Sequence, residues 1–440
     1  MVINLINFLV VATLALNLIL KDKLSDITST SSILNILLIL IFISIFFLKK
    51  KLKNNIFLII MSVYITFFLV NIVVIKTIYT NTAFALIQKY NKKGINLRPS
   101  VFPALFFDNE DLMIFSSLSN QMTIYCKEDT FWSIYKTDRY GFNNDDTVYE
   151  KNEKVVLVGD SFTHGACVRE GDDIAGQLRK KGVNAINMGM GGNSELSKLA
   201  TLKEYGIKVK PDIVLWMYTI GDLGGFLSEI KSENLSKYFY QDDFSQNLII
   251  NNKKKEDFIN NYFKPFEKRE KIDHFFGYVT LYNLRKYLRF EVLPKINVPK
   301  INIPKINVPK ISSSSNKEKK SKVKTTVVQS YDINDYYENT YSDKNLNLFY
   351  QNLNKAKDLC EQNNCVVKFV FLPSRKDLLQ QKKKFKFKEQ IFSKVKQLDI
   401  EILDLEEKFL NLEINNYMIS HYNTKGYKVV SDYIYEKIFN

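Results

Sequence analysis

The chain has 440 residues and is 46% apolar, enough for one large or two ordinary domains with buried cores. Its net charge of +15 comes mostly from Lys in a sequence also rich in Asn and Ile, so the charge alone is weak evidence for an anionic partner. No helix-turn-helix, zinc-finger or aromatic-basic RNA-binding pattern occurs, and nucleic acid is not an expected partner.

Ile3 to Leu20, Ile33 to Leu48 and Ile56 to Ile75 are mostly apolar, each near the roughly 20 residues needed to cross a bilayer. Three transmembrane helices are therefore expected over residues 1–80, as a membrane anchor. A cleaved signal peptide is the rival for the first run, but a basic start and a small-residue cleavage site are both missing. Lys49, Lys50, Lys51 and Lys53 separate the second and third runs, so positive-inside logic puts that loop and the amino terminus in the cytoplasm. Everything after about Ile75 is then expected outside the cytoplasmic membrane.

Residues 81–150 form an irregular, aromatic-rich lead-in ending in Asp138-Arg-Tyr-Gly-Phe-Asn-Asn144, expected to pack on the edge of the main sheet. From 151 to 440, apolar strand-like runs alternate with helical patterns, the mark of a parallel sheet with helices on both faces. The predicted strands are Val155 to Gly159, Ala185 to Met188, Ile213 to Tyr218, Val366 to Leu372 and Ile400 to Leu405. Predicted helices cover Asp172 to Lys181, Ser194 to Tyr205, a stretch with Leu346, Phe349, Leu353, Ala356 and Leu359 on one face, and Thr424 to Phe439. The fold class is α/β, a doubly wound parallel five-stranded sheet.

An insertion at about 231–330 interrupts this domain. Within it Pro294, Pro299, Pro304 and Pro309 recur every fifth residue with Lys between them, which forbids helix and favours extended backbone. The basic segment Ser312 to Lys324 continues it, either as a solvated spacer or as a contact for an anionic surface. Cys126, Cys167, Cys360 and Cys365 are an even number of cysteines, open to pairing as disulfides or to remaining buried thiols.

Chemistry concentrates where the first strand ends. Gly159-Asp-Ser161 follows Val155 to Val158 and would present the Ser161 hydroxyl at the carboxyl edge of the sheet. A serine attacks only when a base takes its proton, and His is best matched to that near neutral pH. Of His164, His274 and His421, the last lies between the fifth strand and the final helix, on the same edge as Ser161. Asn423 is placed to cap that helix, whose positive end would favour a neutral imidazole at His421. Backbone N–H groups at Ser161 and Gly192 are candidate oxyanion donors.

Gly159-Asp-Ser161-Phe-Thr-His-Gly165, Asn187-Met-Gly-Met-Gly-Gly192, Lys210-Pro-Asp-Ile-Val-Leu-Trp216 and His421-Tyr-Asn423 with Gly426 resemble, in order, the blocks of the SGNH/GDSL hydrolase family. The lead-in and Leu202-Lys-Glu-Tyr205 are similar to an uncharacterised membrane-attached bacterial branch. The resemblance implies a flavodoxin-like fold, a serine nucleophile and ester hydrolysis or acyl transfer, with no metal and no cofactor. The pattern is departed from in two respects. Gly221 stands where the family has an oxyanion-binding Asn, and Ile419 and Met418 stand where its acid precedes the His. The expected machinery is thus a Ser161–His421 dyad, with Asp222 or Asp404 as a candidate orienting acid and Asp160 in a structural role.

The expectation is a bacterial inner-membrane esterase or O-acyltransferase with its catalytic domain in the periplasm. Its partners would be the bilayer, an acylated surface glycan or lipid as substrate and, for transfer, a membrane acyl-donor protein. The alternative is a catalytically degenerate module that binds glycan or scaffolds an envelope assembly. A polybasic tether using the Lys repeat is a third reading.

Overall fold

The computed structural model describes residues 50–78, 82–106, 112–264, 339–379 and 381–440, with the single positions 43, 281 and 284. His274, the proline repeat, the Ser312 to Lys324 segment and nearly all of the first two apolar runs lie outside the described residues. The chain divides into one unit of Met1–Ala85 with Tyr262–Ser330, and another of Leu86–Asn261 with Tyr331–Asn440.

In the first unit the third apolar run lies in a 29-residue helix, Lys50–Ile78. No helix among the described residues is long and apolar enough to cross a membrane. This corrects the expected transmembrane anchor and, with it, the inner-membrane location and periplasmic orientation. The helix begins at Lys50 and so takes in Lys51 and Lys53, which the positive-inside argument had assigned to a loop. Farther along, Asn71 is fully buried and accepts the backbone N–H of Leu284 at 2.9 Å, so a polar residue in the apolar run serves an intrachain contact.

The second unit holds two sheets. Leu97–Pro99 (β1), Met122–Ile124 (β2) and Ile134–Lys136 (β3) form a small mixed sheet, with β1 parallel and β3 antiparallel to β2. Lys154–Val158 (β4), Asn184–Asn187 (β5), Ile213–Tyr218 (β6), Val366–Phe371 (β7) and Ile402–Asp404 (β8) form an all-parallel sheet in the order β5-β4-β6-β7-β8. Continuous apolar runs suit strands covered on both faces: Val156, Leu157 and Val158 are wholly buried, as are Leu215 and Trp216 of β6. Val155 pairs with Ala185 on one side and Ile213 on the other, so β4 sits between its two neighbours and its carboxyl end lies at the reversal of strand order.

The helices follow their apolar stripes. Leu346, Phe349, Leu353, Ala356 and Cys360 of helix Asp343–Glu361 are buried, as are Tyr427, Val430 and Ile434 of helix Thr424–Ile438. The helix starting at Glu195 stays α-helical to Thr201 and widens into a π turn over Leu202–Gly206. All four cysteines are paired, Cys126 with Cys167 and Cys360 with Cys365. The second pair closes the turn between helix Asp343–Glu361 and β7.

The lead-in is folded where the sequence looked irregular. Asp138 organises its end: Oδ1 accepts from the backbone N–H groups of Tyr140, Gly141 and Phe142, and Oδ2 from Asn144 and Tyr149. Gly141 has φ +97°, and a side chain there would run into the Ser117 carbonyl, so this turn needs glycine. Asn144 then bonds both the carbonyl and the N–H of Asn187 at the end of β5, and Asn143 bonds the His164 carbonyl. These amides dock the lead-in beside the carboxyl end of β5 and the helix that begins at Ser161.

Candidate active site

The nucleophile turn is built by its neighbours in sequence. Asp160 caps the short helix Ser161–His164, its carboxylate accepting from Phe162 N–H at 2.9 Å. A side chain on Gly159 would overlap the Thr163 hydroxyl group, and Gly165 closes the helix at φ +86°. Ser161 is left as the first helical residue, directly beyond the end of β4.

His421 reaches it from the opposite end of the chain. Met418 and Tyr422 bridge antiparallel to each other, and the Ile419 N–H bonds the His421 carbonyl, forming a tight excursion with His421 on it. Asn423 ends the excursion and caps helix Thr424–Ile438, accepting from Lys425 and Gly426 N–H. The Tyr422 hydroxyl ties it to the Pro373 carbonyl beyond β7. His421 Nε2 then lies 2.8 Å from Ser161 Oγ, with the Phe162 ring centroid 4.9 Å from the imidazole.

The carboxylate beside His421 comes from the lead-in. Glu128 Oε1 is 2.5 Å from His421 Nδ1, and Oε2 accepts the backbone N–H groups of Ser420 and His421. Burial alone would raise this carboxyl, but the hydrogen bonds from His421 and Ser420 outweigh it and hold Glu128 below the ordinary carboxylate range. The Cys126–Cys167 disulfide joins the Glu128 segment to the chain just after the nucleophile turn. Ser161, His421 and Glu128 thus form a continuous hydrogen-bonded line, and the expected dyad is extended by a carboxylate the sequence reading did not single out. Its only sequence signal was proximity to Cys126, which acquires meaning once that cysteine is known to pair with Cys167.

The two acids considered from the sequence are engaged elsewhere. Asp222 takes Lys198 Nζ at 2.6 Å and the Thr219 N–H and hydroxyl. Asp404 takes Lys388 Nζ at 2.6 Å, beside Glu406. Asp222 begins the helix after β6 and Asp404 ends β8, and each is drawn to a lysine. Lys198 is fully buried and also binds Glu195 at 2.6 Å, while Glu195 accepts from Trp216 Nε1. Asp160 lies in the field of this cluster: burial first, then the Asp222 charge, pushes its carboxyl up to about 7, against the pull of Lys198.

The turn after β5 extends the pairing with β4, because Met190 N–H bonds the Gly159 carbonyl at 3.1 Å. That brings Gly191 and Gly192 alongside the nucleophile turn. Neither Ser161 nor Gly192 gives its backbone N–H to an acceptor among the described residues. Gly221, φ −78°, caps helix Asp222–Glu229, and a Cβ placed on it would meet nothing within 4 Å. Its N–H and open surroundings supply no side-chain amide.

His164 does not contact the nucleophile. It is wholly buried, with Nε2 2.5 Å from the Tyr135 hydroxyl and Nδ1 accepting from Gly191 N–H at 3.3 Å. Burial lowers it to about 3, so it is neutral and serves to hold the glycine turn. Glu128, Cys167 and His421 are the one metal-sized group of ligand atoms among the described residues, but the Cys167 sulfur is committed to its disulfide.

A serine, a histidine and a glutamate in line at the carboxyl edge of a doubly wound sheet are a nucleophile–base–acid arrangement of the serine-hydrolase type. No protein-family model matches the sequence, and no curated protein matches it. Among solved structures, the chain is similar to a lipolytic protein of the G-D-S-L family from Desulfitobacterium hafniense DCB-2, at 15% identity and a TM-score of 0.33, over 65% of this chain and 99% of that one. It is also similar to the acetyl xylan esterase AlAXEase, at 14% identity and a TM-score of 0.31, over 65% of this chain and all of that one (100%).

Proposed function

We propose that the protein is a serine esterase or O-acyltransferase acting on ester-linked acyl groups of a glycan or lipid, with Ser161 as nucleophile, His421 as base and Glu128 as the orienting acid. The observation that carries this reading is the line from Ser161 Oγ through His421 to Glu128, at 2.8 Å and 2.5 Å. Glu128 fixes the imidazole with its Nδ1 proton toward the carboxylate, which leaves the Nε2 lone pair for the serine proton. As Ser161 Oγ bonds to the ester carbonyl carbon, His421 takes the hydroxyl proton. The carbonyl oxygen gains the negative charge, stabilised by the Ser161 and Gly192 N–H groups. Collapse of that adduct expels the alcohol, which leaves with the proton from His421, and the acyl group remains on Ser161. Water resolves it to a carboxylic acid; an acceptor hydroxyl resolves it to a new ester.

The absence of an amide at Gly221 favours a second reading, a binding module that keeps the fold without turnover. Reaction of the full chain with a fluorophosphonate probe separates the two. The catalytic reading expects covalent labelling that disappears in Ser161→Ala and is strongly slowed in His421→Ala. A folded wild-type chain that stays unlabelled beside a working serine esterase would sink it.

A further inference from the structure

An ester-cleaving site with Gly221 in place of a side-chain donor stabilises its oxyanion with backbone groups alone, unless another residue reaches in. Tyr125 comes from the lead-in to lie against the glycine turn. It follows β2 and precedes Cys126 and Glu128, so the segment that delivers the acid also delivers this phenol. Its ring lies flat on His164, with centroids 4.2 Å apart and planes at 18°. His164 in turn accepts the Gly191 N–H. The Tyr125 hydroxyl sits directly against Gly191, occupying the space any side chain there would need. The next residue is Gly192, whose N–H is one of the two candidate oxyanion donors.

Three further observations bear on what that hydroxyl does. It makes no hydrogen bond among the described residues, although its neighbours Tyr135 and His164 pair with each other. The residue is partly exposed, whereas Asn193, whose side-chain amide is also unpaired, is 1% exposed and enclosed. Burial, then the fields of Tyr135, Asp160 and Glu128, raises its pKa well above the usual phenol value, which keeps it a proton donor across the working pH range.

Resting on the esterase reading above, we propose that Tyr125 is a catalytic residue whose phenolic O–H donates to the oxyanion, standing in for the amide missing at Gly221. The hydroxyl keeps its proton throughout and only its hydrogen bond strengthens as charge develops on the substrate oxygen. The stack on His164 fixes the ring beforehand, so little reorganisation accompanies the step.

The test is hydrolysis of 4-nitrophenyl acetate by the full chain, comparing wild type, Tyr125→Phe, Gly221→Asn and the double variant. Tyr125→Phe keeps the ring and its stack, and the melting temperature serves as the check on folding. The expected result is a fall in kcat of about a hundredfold or more with KM little changed, the usual cost of one oxyanion donor. Gly221→Asn in the Tyr125→Phe background should recover at least about tenfold, because that position is open and a new amide there restores a donor. A purely structural tyrosine would not be rescued by an amide on a different strand. A Tyr125→Phe kcat within about threefold of an active wild type overturns the assignment while leaving the esterase reading intact. A wild type that neither turns over the ester nor labels at Ser161 overturns both.

Discussion

Replacing Glu128 by Gln tests the triad most sharply, because the carboxylate has two separate jobs. Oε1 faces His421 Nδ1, and Oε2 accepts two backbone N–H groups, from Ser420 and His421. A glutamine has only one oxygen to offer. If that oxygen stays with the two backbone donors, the NH₂ faces Nδ1, which must then accept; the ring proton moves to Nε2 and the base can no longer take the serine proton. If the amide turns round, the NH₂ points at two N–H donors and both lose their acceptor, the partly buried His421 N–H at more cost than the exposed Ser420 one. The first orientation therefore wins, and with it the wrong tautomer. The carboxylate charge that stabilises the imidazolium is lost as well. Together these should lower kcat by roughly 10³- to 10⁴-fold, or about 4–5.5 kcal/mol of barrier, with a small change in KM. Ester turnover and the rate of fluorophosphonate labelling measure it directly. A Glu128→Gln chain that keeps its fold and turns over within about tenfold of wild type would show that His421 needs no acid, and the reasoning would fail.

Two more outcomes follow from the same geometry. Removing the Cys126–Cys167 bridge by a double Ser substitution frees a loop with a sequence separation of 41, expected to cost about 4 kcal/mol, whereas the separation of 5 at Cys360–Cys365 gives about 2 kcal/mol, and only the first should also reduce kcat. Denaturant titrations with parallel turnover measurements read both; equal kinetic effects from the two bridges would remove the link between the disulfide and Glu128. Asp160 gives a pH signature with a definite sign: its carboxyl is raised when folded, so its favourable contribution is present at low pH and is lost as pH rises through about 7. Wild type should melt lower at alkaline pH than at mildly acidic pH, and Asp160→Asn should flatten that dependence because the amide still caps Phe162 without having to ionise.

The apolar runs of β4, β6 and β7 were legible because strands buried on both faces need continuous apolar sequence, and the capping of the last helix by Asn423 was legible because capping is local chemistry. Ser161 and His421 could be paired from the sequence because parallel topology places the carboxyl ends of all five strands on one edge. The three-stranded sheet of the lead-in was not legible: strands of three residues carry almost no periodicity, and β1 finds its partner well along the chain, Leu97 opposite Met122. The third apolar run was read as a membrane span on length and composition, although the helix includes Lys50, Lys51 and Lys53 and buries Asn71 against Leu284. Local pattern determined the strands, the Gly159–Ser161 turn and the place of His421 before the last helix, since each depends on residues within a few positions of one another. The places of Tyr125 and Glu128 were decided only by the tertiary fold, which lays them across the edge of a sheet their own segment does not belong to. A disulfide and two asparagine bridges hold that segment there, and nothing near Glu128 in sequence announces that its partner lies at His421.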